Sequence, residues 1–291
     1  MGSLNLCCHR ALPNARLLPC SSAINNIITI KPHLLSSSSS SSTFNHHRHF
    51  CNSPTAVAST AKQLTSPELV ALEYADLNLN YDNVSQEVGH VRIRSIQAFK
   101  DSTLPLMVDI GSGSGRFLMW LAKRNPDSQN YLGLEIRQKL AKRAEFWVKE
   151  LSLHNIHFMF ANATISFKEL VSAYPGPLML VSILCPDPHF KKRHHKRRVV
   201  QKPLVDSIVK NLMPGGQVFI QSDVLEVAVD MRDRFDAESD LLQHIDTIDP
   251  SMQCDEEGWL VKNPMGIRTE REIHAEFEGA KIYRRLYRKL I

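Results

Sequence analysis

From Leu106 onward the sequence alternates short apolar runs with longer amphipathic ones, and few folds satisfy that alternation. Short apolar runs bounded by turn residues have strand length, and the amphipathic stretches between them have helix length, so the order reads as βαβ units. Strands are expected at 106–110, 131–135, 156–160, 178–183 and 217–221. Helices are expected at 116–124, 137–151, 166–173 and 202–212, with another at 224–235 after the fifth strand. Pro214, Gly215 and Gly216 should stop the fourth helix and turn the chain into that strand. The fold class is therefore α/β, a doubly wound and mostly parallel sheet over residues 104–291. Residues 59–103 lead into it, and 69–100 should form a lid or packing arm.

Charge separates a third segment. The chain has 291 residues with 35 Lys+Arg against 30 Asp+Glu, a net +5. Every acid lies at or beyond Glu68, whereas Arg10, Arg16, Lys31, Arg48 and Lys62 precede it, so the rest of the chain sums to zero. Residues 1–58 also hold the serine run 36–42 and His46, His47 and His49 among small polar groups. An acid-poor, hydroxyl-rich basic segment that cannot form a core is expected to be an organellar transit peptide. Plastid is the expected destination and mitochondrion the alternative; no apolar stretch suits a secretory signal. No apolar run approaches the ~20 residues of a spanning helix, so no membrane association is expected. Cys7, Cys8, Cys20 and Cys51 belong to the leader. Cys185 and Cys254, 69 positions apart, make neither a zinc framework nor a disulfide scaffold, and no metal site is expected.

The first strand ends in Asp109-Ile110-Gly111-Ser112-Gly113-Ser114-Gly115 and opens a helix. Glycines there let the backbone bend sharply and a ligand approach closely. Glu135 closes the second strand, where it can accept hydrogen bonds from ribose hydroxyls. Dinucleotide enzymes use the same geometry, but here the glycines run G-x-G-x-G and an acid precedes them. Asp109 would repel a pyrophosphate; it suits a ligand carrying an ammonium and a sulfonium, as S-adenosylmethionine does.

After the fourth strand comes Leu184-Cys185-Pro186-Asp187-Pro188-His189-Phe190, then the basic run 191–198. The prolines fix the backbone around Asp187 at the carboxyl edge of the sheet, where ligands of open α/β folds bind. The cations beside it could hold phosphates, and His189 and Phe190 could stack on a base. His194 and His195 lack companions of metal-ligand spacing. Toward the end, 281–289 reads as an edge strand with Ile282 and Leu286 facing inward, while Arg284, Arg285, Arg288 and Lys289 can also hold an RNA backbone. Trp120 and Trp147 fall on helical apolar spacing and belong to the core. The polar loop around Trp259 gives no reason for a tryptophan.

These residues taken together resemble the tRNA (guanine-N7-)-methyltransferase family, its bacterial and organellar branch, over about 85–290. The resemblance rests on the Pro-Asp-Pro and basic run at 186–198, with Asp109-Ile110-Gly111-Ser112-Gly113, Gly133-Leu134-Glu135, Ser222-Asp223 and Thr269-Glu270-Arg271-Glu272 in support. It implies a seven-stranded class I methyltransferase sheet, S-adenosyl-L-methionine as donor, and methylation of a guanine N7 in the tRNA variable loop. It implies a cofactor site of Asp109, Gly111, Gly113, Glu135, Arg137, Asn162, Ala163 and Leu184. Asp187 is implied as the catalytic carboxylate, and Lys191, Asp223, Thr269, Glu270, Arg271 and Glu272 as substrate contacts. Two positions depart from many bacterial members: Asn162 replaces an aspartate, and His189-Phe190 replaces Trp-His. The unbroken basic run resembles members that act as monomers without a protein partner. An exocyclic-amine nucleic-acid methyltransferase and a non-catalytic RNA-binding subunit are the alternatives; the first normally shows a second proline that Asp187-Pro188-His189 lacks.

Overall fold

A computed structural model describes residues 64–79 and 99–290. Residues 1–58, expected to be a transit segment, and much of the arm that follows lie outside the described residues. Seven strands form one sheet in the order β3-β2-β1-β4-β5-β7-β6. They are β1 Leu106–Ile110, β2 Asn130–Glu135, β3 Ile156–Phe160, β4 Leu178–Leu184, β5 Leu212–Ser222, β6 Leu242–His244 and β7 Tyr283–Lys289. The first five run parallel, and β7 lies antiparallel to both β5 and β6. The alternation implied the doubly wound parallel sheet, and the resemblance implied its seven-stranded class I methyltransferase form.

The helices are α1 Ser66–Glu73, α2 Arg116–Arg124, α3 Gln138–Glu150, α4 Ala163–Ser172, α5 Lys202–Asn211, α6 Leu225–Asp236 and α7 Glu270–Phe277. Period-2 alternation on the strands divides the core between two faces. Leu106, Val108 and Ile110 meet Phe167 of α4, Ile208 of α5 and Met231 of α6 on one side. Met107, Tyr131 and Phe158 meet Leu118 of α2, Trp147 of α3 and Val70 of α1 on the other. Each fully buried Leu, Ile or Phe contributes roughly 1.5–3 kcal/mol, so the two faces together hold the sheet covered. No helix among the described residues is long and apolar enough to cross a membrane.

Several details differ from the sequence expectation. Helix α4 starts at Ala163 rather than residue 166, because the Asn162 side chain accepts the Thr164 N–H at 3.1 Å and caps it. Pro214-Gly215-Gly216 does not precede the fifth strand. Leu212 already pairs with Leu178, residues 213–216 loop out as a wide bulge, and regular pairing resumes at Leu180 and Gln217. Strand β7 is not an edge: three-residue β6 pairs with its end at Tyr287–Lys289, while Leu286 lies in the core and Arg284 is buried against Gln221 and Glu272. The described part of the arm does not differ: it packs, as a packing arm would. Val70, Tyr74 and Leu77 are buried, Tyr74 Oη donates to the Arg268 carbonyl, and Arg268 pairs with Glu73 at 2.6 Å.

Candidate active site

The turn after β1 is stitched to the end of β2. The Gly111 and Ser112 N–H groups donate to the Leu134 carbonyl at 2.8 and 3.2 Å, and Gly113 N–H donates to Glu135 Oε2 at 2.8 Å. Gly111 and Gly113 have φ of +86° and +58°, and a Cβ on either would meet nothing within 4 Å. Their backbone therefore borders open space. Gly115 shares the left-handed backbone, with φ +82°, and is confined as well: a Cβ there would lie 2.6 Å from the Phe158 ring. Ser112 Oγ is buried without a hydrogen-bond partner, a polar atom still to be satisfied beside that space.

Two carboxylates border the turn. Glu135 is buried, and its Oε1 accepts from Arg137 N and Nε at 2.8 and 3.0 Å. Asp109 is also buried and accepts from Ser182 Oγ at 2.7 Å across the β1–β4 register. Burial pushes its carboxyl up to about 7; the Ser182 hydrogen bond opposes that rise and the Glu135 charge adds to it. A cation nearby would reverse the effect and favour the carboxylate.

At the end of β3, Asn162 Oδ1 is committed to the cap, so its amide nitrogen can only donate. The Ala163 N–H, in the first turn of α4, has no intrahelical acceptor and lies beside it. The pair presents donors where an aspartate would present acceptors.

Half-buried Leu184 closes β4, and the chain holds the β5 pairing for one more residue through Cys185 N–H to Gln221 O at 2.7 Å. Cys185 and His189 both have left-handed backbones, φ 49° and 45°, on either side of Pro186-Asp187-Pro188. Strain of this kind, on the order of 1 kcal/mol or more per residue, persists where surrounding structure imposes it. The loop projects Asp187 outward with its side chain 74% exposed, one oxygen accepting the His189 N–H at 3.1 Å. Arg137 lies within the field of both carboxylates: its guanidinium is raised above its ordinary range chiefly by the Glu135 hydrogen bond, with Asp187 adding.

The basic run divides in two. Lys191, Lys192, Arg193, Lys196 and Arg197 are exposed around a short 3-10 turn, and Phe190 beside them is 68% exposed. Arg198 is buried. It donates to the Pro188 carbonyl at 2.9 Å and pairs with Glu226 at 2.7 Å and Asp230 at 3.5 Å on α6, so it anchors the loop and is unavailable to a phosphate.

Of the residues implied as substrate contacts, four gather at the N-terminus of α7. Thr269 and Glu272 form a capping box, with the Glu272 N–H donating to Thr269 Oγ1 at 3.1 Å and the Thr269 N–H to Glu272 Oε2 at 3.2 Å. Glu270 pairs with Arg116 at the start of α2, and Arg271 pairs with Asp223 after β5 at 2.6 Å. Glu272 departs from its implied role. It is fully buried and accepts from Arg284, Gln221 and Asn263, which leaves nothing for a substrate. Arg284, Arg285 and Lys289 are likewise used internally, by Glu272, Asp236 and the Val209 and Leu212 carbonyls. Ser182, Arg116 and Gln221 take part without having stood out in the sequence; only Ser182 carried a signal, as a polar residue in an otherwise apolar strand.

A family model described as "Putative methyltransferase" matches residues 103–285. A tRNA (guanine-N(7)-)-methyltransferase of Synechococcus sp. (strain JA-3-3Ab) is 50% identical over 180 residues, covering 62% of this chain and 70% of its own. A protein of the same name from Synechocystis sp. is 42% identical over 191 residues, covering 66% and 85%. Among solved structures, an rRNA methylase from Streptococcus thermophilus aligns over 67% of this chain and 92% of its own, at 11% identity and a TM-score of 0.41.

Proposed function

The chain belongs to the tRNA (guanine-N7-)-methyltransferase family, and from that premise we propose that it transfers a methyl group from S-adenosyl-L-methionine to N7 of a guanine in the tRNA variable loop. One observation carries the reading. Asp109, Glu135, Asn162 and Asp187 stand at the carboxyl ends of the adjacent strands β1, β2, β3 and β4, with exposed cations directly beyond Asp187.

The residues present fit the donor. Gly111 and Gly113 border open space, Asp109 can take a positive group, Glu135 can accept from ribose hydroxyls, and Asn162 and Ala163 can donate to a purine edge, with Leu184 alongside. When bound, S-adenosyl-L-methionine supplies an electrophilic methyl on a sulfonium. Guanine N7 carries an in-plane lone pair and no proton, so no general base is required and the chain must contribute position and electrostatics. Asp187 is the carboxylate placed to do this. It holds the guanine through its N1 and N2 hydrogens and offsets the positive charge that develops on the purine. Arg137 keeps Glu135 and Asp187 apart in role, one for the donor and one for the base.

Lys191 and its exposed neighbours hold the tRNA backbone while Phe190 stacks on a base drawn from its stack. Thr269, Glu270, Arg271 and Asp223 form the opposite wall of the substrate side. Glu272 supports that wall from beneath and touches no substrate. The site, the cations and the wall lie on one chain, which supports action as a monomer; sedimentation with and without tRNA tests it. The acid-free leader supports import into a plastid, and a fluorescent fusion of residues 1–67 tests that.

The deciding experiment incubates the purified chain with labelled donor and unmodified tRNA, followed by borohydride reduction and aniline cleavage. Scission at a variable-loop guanine is expected. Scission elsewhere, or label on an exocyclic amine, overturns the assignment.

A further inference from the structure

We propose that His244, Asp246 and Cys254 form a binding site for a divalent transition-metal ion of the zinc type, separate from the methyl-transfer site. One ring nitrogen, one carboxylate oxygen and the thiol sulfur lie within 4.8 Å of one another, the one such grouping of three among the described residues. Nitrogen, oxygen and sulfur together select a borderline-soft ion such as Zn²⁺ over Mg²⁺ or Ca²⁺, which take oxygen alone. The imidazole is buried, its side chain only 6% exposed. Its Nδ1 stands 2.6 Å from Asp246 Oδ1, so the ring already faces that carboxylate, while neither ring nitrogen makes a hydrogen bond of good geometry. Buried polar atoms are rarely left so, and a coordinated ion would satisfy Nδ1. Cys254 is a free thiol, half-buried, and can supply the third ligand.

The surrounding charges agree. Asp246, Asp236 and Asp255 face the cluster, against Arg285, paired with Asp236, and Lys281, paired with Asp255. With Cys254 as thiolate, and Lys281 shared between Asp255 and Glu257, the surroundings are net negative, which favours a divalent cation. Binding replaces the Cys254 S–H bond with a sulfur–metal bond and releases the proton to solvent.

The position suggests what the ion does. Residues 248–269 contain no helix or strand beyond a single bridge between Cys254 and Leu260, and they lead directly into the capping box of α7. Long irregular connections in a compact domain need fastening, and a clip from β6 to Cys254 would supply it. Three strand positions separate β6 from β4, about 14 Å of sheet at ordinary strand spacing, so the ion stands clear of Asp187.

Cobalt(II) is the probe. Titration of the metal-free chain is expected to saturate at one ion per chain with a thiolate-to-cobalt charge-transfer band, bleached by Zn²⁺. Cys254→Ser should abolish that band and weaken binding by more than about 100-fold, and Asp246→Asn should weaken it by about tenfold or more. Both positions are partly exposed, so these variants test the site even where His244→Gln fails to fold. Absence of the band in the unaltered chain overturns the proposal. So does an undiminished band in Cys254→Ser, which would assign the metal to another of the chain's six cysteines.

Discussion

The Glu135 carboxylate accepts the Gly113 backbone N–H at 2.8 Å, which makes the end of β2 and the turn after β1 a single unit. Hydrogen bonds to charged groups contribute about 1.5–3 kcal/mol each. Glu135→Ala should therefore weaken donor binding by at least about tenfold in calorimetry and also lower the melting temperature of the unliganded chain. A binding loss with no change in melting would mean that the stitch to Gly113 does not hold the turn.

Asp187 is expected to act on the rate. Asp187→Ala should lower single-turnover methyl transfer by about 100-fold or more while tRNA affinity, measured by filter binding, falls little. Equal losses in both would reduce Asp187 to a binding residue.

Asp109 should make donor affinity depend on pH. Its carboxyl is raised to about 7, so below that value a bound proton competes with a cationic ligand; affinity should rise as pH goes from 6 to 8 and level off above. For the unliganded fold the sign is opposite. A carboxyl that binds its proton more tightly folded than unfolded loses stabilisation as pH rises from about 4 to 7. Asp109→Asn should flatten both profiles, and a wild-type affinity already flat across pH 6–8 would remove the titration from the site.

The two parts of the basic run should separate by salt dependence. Replacing Lys192 and Arg193 with alanine should reduce the salt slope of tRNA binding by about one for each phosphate no longer neutralised. Arg198→Ala should instead lower the melting temperature and leave the slope unchanged, because its guanidinium is spent on Pro188, Glu226 and Asp230.

Glu272→Ala leaves buried Arg284 with only Glu276, at 3.2 Å, and strips Gln221 and Asn263 of their acceptor, and should cost about 1–3 kcal/mol of stability in denaturant unfolding. A shift below 1 kcal/mol would show that Glu272 is not the centre of that network.

How much of the fold and site is legible in the sequence depends on how local the cause is. Strand β1 and helix α2 begin and end at 106–110 and 116–124 because the glycine turn between them punctuates the chain, and punctuation is written in sequence. The expected start of helix α4 falls three residues late because Asn162, expected at the cofactor, caps the helix, and only the cap marks the boundary. Thr269-Glu270-Arg271-Glu272 has the same double meaning, since its T-x-x-E spacing is itself a helix-opening signal. Arg284 looks like a surface cation because the groups that bury it, Gln221 on β5 and Glu272 on α7, are 63 and 12 positions away, and β6, which pairs with the end of β7, is too short to show a pattern. Trp259 is buried against Tyr283 with Arg232 over its ring, a packing fixed by chain segments far from it in sequence. His244 and Asp246 meet Cys254 across an irregular loop, and the spacing of cysteines alone carries no trace of that meeting.

Helix α7 is gripped from two sides, by Arg116 at the start of α2 and by Asp223 after β5. Arg116 directly follows Gly115, so a movement of the glycine turn would be carried to Glu270. If α7 faces the tRNA as proposed and the donor moves that turn, each ligand should alter the other's affinity by the same factor, and Arg116→Ala should let the two bind as strangers.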